Sequence, residues 1–102
     1  MAVVMIMTLP EGAPISMLDA VSEEMDVHAN PPDGLIVHTH SEVGGRVQIV
    51  DVWESAEAHR TFETERLEPA MAKVASARGV DMSQFGEPEV TMNEVHMVVR
   101  GR

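Results

Sequence analysis

The chain has 102 residues, with 7 Lys and Arg against 17 Asp and Glu, a formal net charge of −10 at pH 7, and no Cys. This length suits one domain, and without cysteine there is neither a disulfide framework nor a thiolate nucleophile. The acidic charge and the scarcity of aromatic residues disfavour binding to nucleic acid or to an anionic membrane surface. We therefore predict a single domain over residues 1–102.

Signals for secretion and membrane insertion are not evident in the sequence. The residues before Pro10 lack the basic residues and the apolar length of a secretory signal. No segment reaches the roughly 18 apolar residues of a membrane span. These features predict a cytoplasmic protein.

The first third of the chain predicts a strand followed by a helix. Residues 2–9 are almost all apolar and end at Pro10, which predicts a strand covered on both faces. Apolar residues then recur at spacings of three and four from Ile15 to Met25, as in an amphipathic helix. The Asn-Pro-Pro-Asp-Gly sequence at 30–34 ends that helix.

A β-hairpin is predicted next. Two strand-like runs, Leu35–Val43 and Arg46–Trp53, are joined by Gly44 and Gly45, which favour a two-residue turn. This turn sets the register of the two strands. Three predicted pairs face each other across the hairpin: His38 with Asp51, His40 with Ile49, and Ile36 with Trp53.

The last part of the chain predicts a helix and a final strand. Ser55 has the position of an N-cap, and the helix that follows runs to Gly79. Pro69 predicts a kink, or two helical pieces, near Glu68. Residues 80–87 are predicted to form a loop and residues 89–100 a strand.

This order of elements predicts the fold class. A βαββαβ order is that of an α+β ferredoxin-like fold, with a four-stranded antiparallel sheet and both helices on one face. The strands are apolar on both sides, so the opposite face of the sheet needs a cover. A second copy of the chain is the simplest cover, which predicts a homodimer.

The junction between the hairpin and the second helix resembles a known family. The sequence of Val50–Ser55, VDVWES, with the helix that follows, resembles the corresponding junction in antibiotic biosynthesis monooxygenase-like proteins of the dimeric α+β barrel superfamily. Residues 66–71, RLEPAM, are similar to the kinked second helix of small bacterial members. The resemblance implies a dimeric α+β barrel and a cofactor-independent monooxygenase that acts on a small aromatic or polyketide-like substrate in an apolar pocket.

Two subgroups of that superfamily fit this chain poorly. Haem-degrading relatives have an Asn on the first strand, a Trp where this chain has Phe62, and a His where it has Ala72. Quinone-forming oxygenases commonly present Asn, Trp, Tyr and Arg to a phenolic substrate, and this chain has no Tyr. The resemblance therefore specifies the fold better than the chemistry.

The candidate catalytic residues lie on the hairpin. His38 and His40 are two residues apart, so on a strand both rings point to one face, with Asp51 opposite His38. We predict His38 as a general base, Asp51 as the residue that orients it, and His40 as a second polar contact. Two alternatives are a pair of half-buried polar residues without a chemical role, and a metal site that His96 joins across a subunit boundary.

The candidate walls of the pocket are apolar. We predict that Trp53, Phe62, Met71 and Ile36 contact the substrate, although aromatic and Met residues are also common in cores. His59 is expected to be solvated. His28 is expected to complement the C-terminal dipole of the first helix.

Three functions are therefore carried forward from the sequence. The first is a cofactor-free oxidoreductase, in which the substrate supplies the electrons and the protein supplies a base and a dry site. The second is a non-catalytic dimer of the same fold that binds a small hydrophobic or aromatic ligand. The third is a histidine metal-binding protein. The expected partners are a second copy of the chain and a small ligand, with no nucleic acid and no membrane.

Overall fold

The computed structural model describes residues 1–102 and contains four strands and three α-helices. No helix is both long enough and apolar enough to cross a membrane. The elements follow the predicted order, with the second helical region divided into two α-helices. Their bounds are β1 Val3–Thr8, α1 Ile15–Met25, β2 Leu35–Val43, β3 Arg46–Trp53, α2 Ala56–Phe62, α3 Glu68–Arg78 and β4 Glu89–Glu94.

The four strands form one antiparallel sheet in the order β2-β3-β1-β4. Strands β1 and β2 run in the same direction with β3 between them, which is the split βαβ arrangement of the ferredoxin-like fold. The prediction of this α+β fold is confirmed. The order of strands places the hairpin at one edge of the sheet and β4 at the other.

The hairpin has the predicted register over most of its length. His38 lies opposite Asp51, His40 opposite Ile49, and Val43 opposite Arg46. The predicted pairing of Ile36 with Trp53 is wrong, because the register shifts between Leu35 and Val37 and Leu35 takes the place opposite Trp53. Ile36 is the extra residue of this bulge, at the start of β2.

The helices pack on one face of the sheet through a small apolar core. Met17 and Val21 of α1 meet Ala70, Val74 and Ala75 of α3. The small side chains of α3 allow the two helices to approach closely. On the sheet, the buried apolar residues are Val3, Met5, Val47 and Trp53.

A turn of π-helix interrupts the second helical region. The side chain of Ser55 caps α2 by accepting a hydrogen bond from the Ala58 N–H at 3.0 Å, as predicted. A π-helical segment, Glu63–Leu67, then separates α2 from α3. Pro69 explains the position of this break, because proline has no N–H to donate to a carbonyl one turn earlier and its ring crowds that carbonyl. The predicted interruption near Glu68 is confirmed.

The last strand is shorter than predicted. It ends at Glu94, opposite Val3, the first residue of β1. Beyond this point only the Val95 N–H still donates to the sheet, to the carbonyl of Ala2 at 2.9 Å. Residues 96–100 leave the sheet because β1 offers them no further partner.

The second face of the sheet is open in the single chain. Strand β1 buries Val3 and Met5 under the helices, whereas Val4 and Ile6 on the opposite face are only half-buried. The prediction that β1 is covered on both faces is therefore not met within one chain. Val50 and Val52 of β3 lie beside them and extend the apolar part of this open face.

Candidate functional site

A cavity of about 310 Å³ lies between the sheet and the helices. Of the 21 residues that line it, 13 are hydrophobic, and none is Lys or Arg. Strands β1 to β3 form its floor, and α1, α2 and the loop at 27–32 cover it. Such an apolar space with a few polar groups is typical of a small-molecule site.

The strongest polar contact in the cavity joins His38 and Asp51. The His38 Nδ1 and Asp51 Oδ1 atoms lie 2.6 Å apart. Asp51 is only 3% exposed, and its Oδ2 accepts a hydrogen bond from the Trp53 indole N–H at 3.3 Å. With a donor on each oxygen, the carboxylate is held in one orientation and fixes the His38 ring in turn.

A second histidine and a second carboxylate continue this chain of contacts towards the surface. The His38 Nε2 lies 3.3 Å from the His40 Nδ1. The His40 Nε2 lies 3.0 Å from an Asp19 carboxylate oxygen, and the Asp19 side chain is 61% exposed. The polar chain therefore runs from the buried Asp51, through two imidazoles, to a carboxylate on α1 that meets solvent.

These contacts fix the tautomers of the two rings when both are neutral. Ionised carboxylates only accept, so His38 carries its proton on Nδ1, towards Asp51, and His40 carries its proton on Nε2, towards Asp19. The His38 Nε2 and the His40 Nδ1 then present lone pairs to each other. A proton placed between them converts this contact into a hydrogen bond, so the pair can accept one proton.

The predicted pocket residues divide into two groups. Trp53, Phe62 and Ile36 line the cavity, and the rings of Trp53 and Phe62 lie 5.1 Å apart. Met71 does not line it. That side chain is half-buried and packs against the cluster between α1 and α3, because it lies beyond the π-helical segment on the far part of the helical layer.

Two further histidines reach the cavity although the sequence placed them elsewhere. His59 is 6% exposed and packs edge-on against Trp53, with ring centroids 5.4 Å apart, so the expectation that it is solvated is wrong. His28 follows the end of α1 at Met25 and lines the cavity instead of completing the last turn of that helix. The left-handed backbone of Asp26 redirects the chain at this point.

His96 is not brought to the other histidines within one chain. It is exposed and follows β4, at the opposite edge of the sheet from His38 and His40 on β2. No group of three or more His, Asp or Glu side chains in the chain is arranged to hold a metal ion. A site with all three histidines would require residues from two subunits.

Comparisons with known proteins identify structures with the same fold. No protein-family model and no curated protein sequence matches the chain. Solved structures match it over almost its whole length. The cofactor-independent oxygenase SnoaB from Streptomyces nogalater shares 13% identity, with a TM-score of 0.63 and 96% of each chain covered.

Two further structures give the same result. A protein from Caulobacter crescentus assigned to the antibiotic biosynthesis monooxygenases shares 17% identity, with a TM-score of 0.65, over 94% of this chain and 91% of that one. The chain thus has the antibiotic biosynthesis monooxygenase fold. The monooxygenase from ActVA-Orf6 of Streptomyces coelicolor, solved with Nanaomycin D, shares 18% identity, with a TM-score of 0.61, over 99% of this chain and 93% of that one. The resemblance predicted from the sequence is confirmed at the level of fold.

Proposed function

We propose that this chain is a cofactor-independent monooxygenase that oxidises a small aromatic or polyketide-like molecule in the cavity beside His38. The observation that carries the proposal is the 2.6 Å contact between His38 and the buried Asp51, inside a mostly apolar cavity. Two proteins of the same fold, SnoaB and the product of ActVA-Orf6, are described as an oxygenase and a monooxygenase, which supports the reaction class.

His38 supplies the base. Its Nδ1 faces Asp51, so Nε2 is the nitrogen that takes up the proton of a substrate hydroxyl or an activated C–H, and the His40 ring must turn aside from Nε2 for the substrate to approach. The accepted proton is then shared with the His40 Nδ1. From there it can pass through the other nitrogen of His40 to Asp19 and to solvent.

Removal of the proton leaves an electron-rich carbanion or phenolate, which reduces dioxygen directly. For oxidation of a CH₂ group to a ketone, the two hydrogens of the substrate and one oxygen atom of O₂ leave as water. The other oxygen atom forms the carbonyl, and O₂ accepts four electrons in total. The apolar walls around Trp53 and Phe62 exclude water from the anion, so its charge is less stabilised and electron transfer is favoured.

We propose that the working unit is a homodimer. The open face of the sheet presents a row of aliphatic side chains that one chain leaves half-buried or exposed. A second copy can cover this face with its own equivalent surface, as in two-fold symmetric interfaces. The apolar residues on this face are Val4, Ile6, Val37, Val50 and Val52.

Oxidation of anthrone by air tests the proposed activity. Anthrone carries an activated CH₂ group, and its oxidation to anthraquinone consumes one O₂ and releases one water. We expect the protein to accelerate both O₂ uptake, measured with an oxygen electrode, and the rise of anthraquinone absorbance. His38→Ala should lower the protein-dependent rate about 100-fold or more, and Asp51→Asn by about tenfold or more, because the base is lost or misoriented.

His96→Ala is the matched control for that experiment. His96 is exposed and makes no side-chain hydrogen bond, so its removal should leave the rate unchanged. Circular dichroism should show an intact fold in all three variants. An unchanged rate in His38→Ala would contradict the proposed role of His38.

A ligand-binding protein without catalysis is the second candidate. The chain has no Tyr, and Phe62 stands where the resemblance to haem-degrading relatives places a Trp or a His, which leaves fewer groups to polarise a substrate. In this case anthrone would quench the fluorescence of Trp53, the single tryptophan, without faster O₂ uptake. The two candidates thus predict the same binding but different turnover.

A further inference from the structure

His59 is a buried histidine whose ring has no partner in the protein. It lies in α2, is 6% exposed, and donates only its backbone N–H, to the Ser55 carbonyl. Its ring packs edge-on against Trp53 and makes no side-chain hydrogen bond. His59 is also one of the residues that line the cavity.

An imidazole at this position needs a hydrogen-bond partner that the protein does not supply. A Leu or Phe would fill the same space beside Trp53 without that need. No ring nitrogen of His59 is sealed from both solvent and partners. The missing partner can therefore enter through the cavity that His59 lines.

We propose that His59 is a ligand-binding residue that forms a hydrogen bond with a hydroxyl or carbonyl group of a planar aromatic ligand. The inference rests on the proposed function only in assuming that the cavity binds a ligand. Neutral imidazole offers one donor and one acceptor, which matches both of these groups. Trp53 and Phe62 both line the cavity, and aromatic walls of this kind favour an aromatic ring system.

The charges around the cavity restrict the chemical class of the ligand further. No Lys or Arg lines it, and the buried carboxylate of Asp51 belongs to its wall. A carboxylate or phosphate on the ligand would therefore lack a cationic partner and would meet a like charge. The ligand class is a neutral, hydroxylated or carbonyl-bearing aromatic molecule.

His38 and His59 are separate polar contacts for such a ligand. His38 belongs to the chain of contacts through Asp51 and His40, and no hydrogen bond joins His59 to this chain. The two rings come from β2 and α2. A ligand with one polar group at each ring is held at two points, which fixes its orientation as well as its position.

Two naphthols test the inference on the free protein by titration calorimetry. The probes are 2,6-dihydroxynaphthalene and 2-naphthol, which differ by one hydroxyl. The wild type should bind the diol roughly five- to tenfold more tightly, the value of one additional hydrogen bond. His59→Leu should abolish this preference, His59→Gln should retain most of it because Gln keeps a donor and an acceptor, and His96→Leu should leave it unchanged.

The outcomes test the role of His59 apart from the proposed function. If the diol preference survives in His59→Leu, the role of His59 is overturned, while the cavity still binds aromatic ligands. If neither probe binds the wild type, the role of His59 is overturned, while the oxidation of anthrone tests the proposed function separately. If the preference disappears in His59→Leu but also in His96→Leu, it arises from a global change and the role of His59 is again overturned.

Discussion

Asp51, whose carboxylate is buried, is the residue on which the geometry of the candidate site depends. A carboxylate that is 3% exposed loses most of its hydration, and only well-placed donors offset that loss. Asp51 has two such donors, the His38 ring and the Trp53 indole N–H, one on each oxygen. The same contacts that stabilise the charge also orient the ring of His38, the proposed base, and hold Trp53 in the wall of the cavity.

At the residue scale, Asp81 leads to a prediction of how stability depends on pH. Two hydrogen bonds from Ser83, first from its hydroxyl at 2.6 Å and then from its backbone N–H at 3.0 Å, lower the pKa of Asp81 below its ordinary value of 3.8. Because the folded pKa is depressed, the stabilisation is present above the unfolded pKa and is lost as the pH falls through the folded pKa. Ser83→Ala should raise the pKa of Asp81 towards 3.8 in a ¹³C NMR titration of the carboxyl group. An unaltered pKa in this variant would contradict the assignment.

The sequence predicts one part of the candidate site and misses another for identifiable reasons. The His38–Asp51 pair follows from a two-residue turn and strand alternation, because these two rules fix which side chains face each other. Asp19 and His59 lie on helices, and how a helix is rotated and docked on the sheet depends on long-range packing. The closest local signal for His59 is its position six residues after Trp53, on the first turns of a helix that starts at the end of β3.

At the scale of elements, α2 approaches the start of β2 closely at Gly34. Gly34 has a φ of +81°, and a Cβ added there would lie 2.6 Å from the Cβ of Ala58. Its carbonyl also accepts the Glu54 N–H at 2.8 Å. Gly34 thus joins the start of β2, the end of β3 and the first turn of α2 beside the bulge.

Substitution of Gly34 tests this contact. Gly34→Ala should destabilise the fold by about 2–5 kcal/mol, because it adds a steric clash to the strain of a positive φ. Gly12→Ala is the matched control, since Gly12 has a φ of +90° but open space around its Cβ position, and it should cost about 1–2 kcal/mol. Chemical denaturation of both variants measures the difference. Equal losses of stability in the two variants would show that the contact between Gly34 and Ala58 does not contribute to the destabilisation.

The errors at the scale of elements have one common cause. The final strand ends early because its partner β1 begins at Val3, and the bulge in β2 shifts Ile36 out of register. Both depend on what a neighbouring strand offers, which local patterns in one segment do not encode. The break before Pro69, in contrast, follows from the covalent structure of proline and was predictable.

At the scale of the whole molecule, the open face of the sheet is the surface that most needs a partner. The helices cover one face only, and the centre of the other face is aliphatic, with Ile6 opposite Val50 and Val4 opposite Val52. An apolar surface of this kind is typical of an interface. We proposed above that a second copy of the chain covers it.

The oligomeric state tests this proposal. Multi-angle light scattering should give twice the mass of one chain for the wild type at micromolar concentration. Val50→Glu should give the mass of one chain with an unchanged circular dichroism spectrum, because a charge at the centre of the face must stay hydrated. Thr61→Glu, on the exposed surface of α2, is the control and should remain a dimer. A wild type with the mass of a single chain would contradict the proposal.

The most direct test of the central claim is proton transfer in the absence of oxygen. Anthrone is incubated with the protein in deuterated buffer under nitrogen, and deuterium entry at its CH₂ group is followed by NMR. With His38 as an oriented base, the wild type should exchange deuterium into anthrone faster than buffer alone does. In His38→Ala the protein-dependent exchange rate should be lower by about 100-fold or more. An exchange rate in the wild type equal to that of His38→Ala would contradict the account.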